Sequence, residues 1–138
     1  MNHYLDKLQN DKPKHVYGFL MDINDFKTIN DIYGHLKGDQ AIIQFGKILQ
    51  HSIDKDSVAI RMGGDEFVIF AILKSNEEAL ALKKHIEQNV RQFNTNSTEP
   101  FHLSFSIGIA KYSGNIETFL SSMDDSMYEA KNMHRLMH

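Results

Sequence analysis

The chain has 138 residues, 41% hydrophobic and 24% charged, which is enough for one compact domain with its own core, and no shift in composition argues for two. A net charge of −3 gives no basic footprint for nucleic acid, and zero cysteines remove disulfide and thiolate chemistry and agree with a reducing compartment. The longest apolar run, Phe67 to Leu73, falls far short of the roughly 20 residues that cross a bilayer, and the polar N-terminus lacks a signal peptide's pattern, so the chain reads as soluble, cytoplasmic and without membrane contact.

In chain order, "MNHYLDKL" offers a short helix at most. "HVYGFLMDI" (15–23) is rich in strand formers and too short for a helix. "NDFKTINDIYGHLKGD" (24–39) carries Asp and Asn at possible caps and glycines at 34 and 38. It predicts a short helix, a turn and a longer helix whose apolar face is Ala41, Ile42, Phe45, Ile48 and Leu49. "SVAIRM" (57–62) and "EFVIFAIL" (66–73) flank Gly63 and Gly64, and a Gly-Gly link between apolar strands predicts a hairpin turning on that pair. "NEEALALKKHIEQNVRQF" (76–93) puts Ala79, Leu82, Ile86, Val90 and Phe93 on one helical face, with Ser75 or Asn76 as cap. "FHLSFSIGIA" (101–110) alternates as a half-buried strand does, and Ile116, Phe119, Leu120, Met123 and Met127 mark a last helix.

The order β-α-α-β-β-α-β-α implies an α+β fold: a single mixed sheet flanked by helices, with the helices on a face, near the split β-α-β plan of ferredoxin-like domains. The first strand ends in a carboxylate, Asp22, and if that strand lies beside the hairpin then Asp22, Asp65 and Glu66 converge. Uncompensated carboxylates packed together repel, and a hard divalent cation such as magnesium relieves them in a way suited to phosphoryl or nucleotidyl transfer. The other reading is a plain structural hairpin, in which Asp and Gly serve the turn. The residues alone leave both open.

"GGDEF" (63–67), preceded by Arg61, together with "MDINDFKTINDIYGHLKGD" (21–39) and "SMYEAK" (126–131), resembles the GGDEF family of diguanylate cyclases across almost the whole chain. The resemblance implies a single nucleotidyl cyclase domain of the palm type over residues 1–138, excised from a longer bacterial signalling protein. It implies Asp22 and Asp65, with the carbonyl of Ile23, as ligands of Mg2+ or Mn2+, all hard oxygen donors. Glu66 is implied as their acidic partner at the metal and near the reacting 3′-hydroxyl, so that Asp65 and Glu66 carry the catalysis. Gly63 and Gly64 would let backbone approach the substrate, with Arg61 beside them. Asn30 and Asp39 match the positions that read guanine, whose N1–H and amino group suit a carboxylate acceptor. The segment Asn24, Asp25, Phe26 and Lys27 matches the loop that offers backbone N–H groups to phosphates where a helix begins. Lys131 and Arg135 match a triphosphate clamp, and their i, i+4 spacing puts both on one helical face.

The implied activity is nucleotidyl transfer: two GTP condense to cyclic di-GMP and two pyrophosphates across a transient or tether-dependent homodimer. The alternative is a catalytically silent GTP-binding regulatory domain. A product receptor is disfavoured, because the inhibitory "RxxD" of many relatives reads "DKDS" at 54–57. Further departures are the missing "DxLTGLxNR" block, Asn24 in place of a frequent Asp, and His134 where "KxxGRN" carries glycine. His134 and His138 at i, i+4 read as terminal surface residues, since two ligands do not make a zinc site. Phe67, Phe70, Phe101 and Phe105 read as core.

Overall fold

A computed structural model describes residues 2–11 and 15–137 of the protein. Its elements are α1 (Asn2–Asp11), β1 (Val16–Ile23), α2 (Phe26–Tyr33), α3 (His35–Ser52), β2 (Val58–Gly63), β3 (Glu66–Ile72), α4 (Asn76–Asn96), β4 (Phe105–Lys111) and α5 (Ile116–Met137). The four strands form one sheet in the order β2-β3-β1-β4. The α+β class and the order of elements from β1 onward are those expected.

The sheet is antiparallel rather than mixed: β1 pairs with β3 and β4, and β2 with β3, each in antiparallel register. Each helical crossover skips a strand, so β1 and β2 run the same way but never pair. Helices cover both faces, not one. Tyr17, Phe19, Met21 and Ile23 of β1 join Phe67 and Ile69 of β3 in a core closed by α3 and α4. Val68 and Phe70 of β3 meet Phe119 and Met123 of α5 and Leu5 and Leu8 of α1 on the opposite face. A central strand buried from both sides reads as a near-continuous apolar run, as 16–21 does before the buried Asp22.

The N-terminal segment forms a full helix of 10 residues and not only a short one. Its apolar stripe is narrow, and it is held by packing: the Tyr4 ring stacks on Phe70 at 4.4 Å between centroids. The hairpin turns on Gly64–Asp65, one residue later than expected. Gly63 ends β2 paired with Glu66 after an irregularity in register following Arg61, and φ values of +143° at Gly63 and +52° at Gly64 give the glycines their conformational reason. Residues 101–104 lie outside β4, although Phe101 and Leu103 are buried. There the Asn94 side chain replaces a neighbouring strand, donating to Leu103 O and accepting from Leu103 N, both at 2.7 Å. Ser75 caps α4 by accepting from Glu78 N.

Gly18 and Gly108 set how closely α5 lies on the sheet. A Cβ at residue 108 would stand 2.3 Å from the backbone N of Met127 and 2.5 Å from the carbonyl of Met123, and one at residue 18 would strike the Met123 sulfur. Among the described residues, no helix is long and apolar enough to cross a membrane.

Candidate active site

Strand alternation decides where the carboxylate of β1 goes. Odd residues of β1 face α3 and α4, so Gly18, Leu20 and Asp22 face α5. Asp22 is paired across the ladder with Glu66, and Ile23 N donates to the Asp65 carbonyl at 3.3 Å, which fastens the end of β1 to the hairpin turn. Next to it, Asn24 N donates to Ser104 O at 2.8 Å, its amide donates to Ser104 Oγ at 2.9 Å, and Ser106 Oγ donates to Asn24 Oδ1 at 2.7 Å. An amide can both give and accept here, a role a carboxylate at position 24 could not fill.

A cavity of about 390 Å³ opens at this corner, lined by the 22–27 segment, Asp65, and Lys131, His134 and Arg135 of α5. The α2 N-terminus enters it without a side-chain cap. Asp25, at φ +56°, precedes the first turn and makes no side-chain cap hydrogen bond to its leading N–H groups. A second cavity of about 200 Å³ lies beside it, lined by Leu20, Asp22, Glu66, Asp124, Met127, Tyr128 and Lys131. Asp22 and Lys131 belong to both. A larger cavity of about 760 Å³ between α3 and α4 holds none of the expected site residues, and its greater volume does not outweigh the chemistry gathered at the smaller two.

The three carboxylates therefore do not meet at one point. Asp65 lines the first cavity and Glu66 the second, because consecutive residues entering a strand project to opposite sides, and Asp22 stands between them. Among the described residues, no three acidic or imidazole groups are close enough to ligate one ion by side chains alone. What the first cavity does offer is the Asp22 carboxylate, the Asp65 carboxylate and the Ile23 backbone. Among the described residues Asp22 Oδ1 is buried and finds no hydrogen-bond partner, while Oδ2 meets Lys131 Nζ at 2.5 Å. A buried carboxylate oxygen left without a donor fits a metal ligand in waiting.

Burial raises the Asp22 carboxyl above its ordinary value, and the nearby Asp65 adds to this against the pull of Lys131 and His134. The bond to Asp22 raises the Lys131 ammonium in turn, outweighing its own partial burial. The two directions differ on how well the pair suits its members. The geometry resolves this: Asp22 is the more deeply buried partner and loses more solvation, whereas Lys131 is 37% exposed and stays charged.

Of the remaining expected residues, Lys27, Phe26 and Arg135 line the first cavity. Arg61 braces the hairpin, its Nε donating to Gly64 O at 3.0 Å. Asn30 lies one turn along α2 from Phe26 and its carboxamide rests on Gly38, where a Cβ would stand 1.7 Å from Asn30 Oδ1. Asp39 follows on α3, exposed; neither it nor Asn30 lines the first cavity. Gly63 and Gly64 have open space where a Cβ would project, so only their φ values restrict substitution.

Three features went unseen in the sequence: the Lys131–Asp22 pair, the serine bracket around Asn24, and the approach of His134 Nε2 to Asp25 Oδ2 at 3.5 Å. The alternation of Ser104, Phe105 and Ser106 was the available signal for the bracket. His138, the other half of the histidine pair, lies outside the described residues.

Comparison with known proteins agrees with this architecture. The family described as "Diguanylate cyclase, GGDEF domain" matches residues 1–136. The chain is 35% identical over 115 residues to the diguanylate cyclase DgcM of Escherichia coli, covering 82% of this chain and 28% of that protein. It is 36% identical over 115 residues to the diguanylate cyclase DgcS of Shewanella oneidensis, covering 81% of this chain and 38% of that one. The chain thus spans well under half the length of these relatives. The solved GGDEF domain of Pseudomonas aeruginosa TpbB (YfiN) superposes with a TM-score of 0.82 at 27% identity, covering 95% of this chain and 81% of that chain. The family match over nearly the whole chain and the agreement in fold show that the chain belongs to the GGDEF domain family.

Proposed function

We propose that the domain condenses two GTP molecules into cyclic di-GMP with release of two pyrophosphates. One observation supports this above the rest: a single cavity combines a buried carboxylate with an orphaned oxygen, a second carboxylate, an uncapped helix N-terminus and the cations Lys27, Lys131 and Arg135.

Lys27, Lys131, Arg135 and the leading N–H groups of α2 bind the triphosphate, an anion suited both to the helix dipole and to the cationic side chains. Asn30 and Asp39 read the guanine edge. Asp22, Asp65 and the Ile23 carbonyl would hold a magnesium or manganese ion, which supplies neutralisation of phosphate oxygens and acidifies the attacking hydroxyl. Glu66, close to Asp22 but in the adjoining cavity, takes the proton of the 3′-hydroxyl. The O3′–Pα bond forms as the bond from Pα to the bridging oxygen breaks and pyrophosphate leaves. Each loaded domain supplies the hydroxyl that attacks the other's α-phosphorus, so two copies face one another for both bonds to form.

Incubation with GTP and Mg2+ or Mn2+, followed by mass detection of a cyclic dinucleotide, tests the reading. Product from GTP and none from ATP supports it. GTP binding without product would leave the silent regulatory domain in its place.

A further inference from the structure

Lys131 faces two anions that want it on different occasions. Its ammonium is on Asp22 Oδ2, yet it lines the cavity proposed above for the triphosphate. Asp22 is fixed: it sits in the central strand between two ladders, and its side chain is 9% exposed. Lys131 sits on the outer part of α5 with a flexible stem and is 37% exposed, so it is the partner that can leave. Burying a carboxylate without a counter-charge is costly, so an unloaded domain needs some cation at Asp22. An ammonium serves that need only partly, reaching one oxygen and leaving Oδ1 orphaned. Arginine would fork across both oxygens and hold on, whereas lysine is a point charge that releases more readily.

We infer that Lys131 is a built-in counter-cation that occupies Asp22 until metal and nucleotide arrive together, and that it then transfers to the phosphates. This rests on the proposed function, which assigns Asp22 to the metal and Lys131 to the triphosphate. Lys131 and the divalent ion compete for one carboxylate in the unloaded domain. A triphosphate draws Lys131 away and so favours metal binding, and by reciprocity the metal frees Lys131 for the nucleotide. Metal without nucleotide is thereby kept weak.

The test is Mn2+ titration of the domain without nucleotide, read by the electron-spin signal of free Mn2+, for the parent, Lys131→Met and Asp22→Asn. Melting temperatures are recorded in EDTA and in Mn2+. Lys131→Met should bind Mn2+ about ten-fold or more tightly than the parent, should melt lower in EDTA, and should regain the loss in Mn2+. 3′-Deoxy-GTP, which binds but lacks the attacking hydroxyl, should strengthen Mn2+ binding to the parent more than to Lys131→Met. Equal or weaker Mn2+ binding by Lys131→Met, undetectable binding in both included, overturns the inference. If Asp22→Asn abolishes Mn2+ binding while Lys131→Met gains nothing, only the counter-cation role falls. If Mn2+ binding is indifferent to Asp22→Asn, the metal assignment in the proposed function fails with it.

Discussion

Asp22 and Glu66 are direct cross-strand partners at the ends of β1 and β3. The bond from Ile23 N to the Asp65 carbonyl fixes the neighbouring pair as the hydrogen-bonded one, which makes Asp22–Glu66 the kind of antiparallel pair whose side chains approach more closely. Asp22 and Glu66 line one cavity together with Lys131. The register of the sheet thus sets two acidic positions beside Lys131.

Asp65→Asn and Glu66→Gln should each lower cyclic di-GMP formation by about 100-fold or more, the scale of a lost acid–base or metal group. Their binding should differ. Asp65→Asn, in the cavity lined by Lys27 and Arg135, should weaken Mn2+, whereas Glu66→Gln should keep Mn2+ and GTP affinity near that of the parent. Turnover assays beside calorimetry read both. Unchanged turnover in both variants removes the acidic pair from the chemistry.

Asp22 trades stability for its place in the site. Because burial raises its carboxyl, the unfolded chain releases this proton first, so in EDTA the parent loses stability as pH rises from about 3.9 through the higher folded value. Asp22→Asn lacks that loss. The melting temperature of the parent relative to the variant should be highest at acid pH and fall through this window, leaving the variant no less stable at pH 7 and inactive. A difference flat in pH would contradict it.

Gly38→Ala should act on base selectivity. The added methyl needs the space of Asn30 Oδ1, so Asn30 must leave its seat on Gly38. Loss of a buried polar pairing is worth about 1–3 kcal/mol, so GTP affinity should fall about 5- to 150-fold, with ATP affected little. Asp39→Ala should do the same without moving Asn30. A parent that binds both nucleotides equally would end the guanine assignment.

The isolated domain should be slow and steep in concentration, since the proposed reaction requires two loaded copies to meet. At low concentration product formation should rise as the square of enzyme, and fusing a parallel coiled coil ahead of Met1 should raise it by about ten-fold or more through effective concentration. Strict linearity from nanomolar enzyme upward, with no gain from the fusion, argues for another mechanism or another dimer surface.

Most of the fold was legible because local and tertiary signals agree in this chain. The helical stripes at 41–49 and 79–93 and the apolar runs at 16–21 and 67–71 bury the faces their periodicity predicts. Strand direction was not legible, since pairing in register depends on which strand each crossover skips. Residues 101–104 alternate like a strand, yet a distant amide, Asn94, satisfies their backbone. At the site, the glycine and carboxylate positions could be found from their motif. The ion pair of Asp22 could not, because Lys131 is separated from it by three strands and two long helices and is brought back only when α5 folds onto the sheet.

The missing side chain at Gly108 gives that return its reach. With nothing between β4 and the backbone of Met127, the floor of the sheet is the gauge against which the C-terminal part of α5 is levelled, and Lys131 lies one helical turn beyond. A methyl at 108 would shim the helix upward and lift a clamp it never touches, and misplacement of a binding group by about 1 Å can cost on the order of 100-fold in rate. Damage to the proposed site need not strike the motif: one carbon under a helix, at a residue with no chemistry of its own, is enough to detune it.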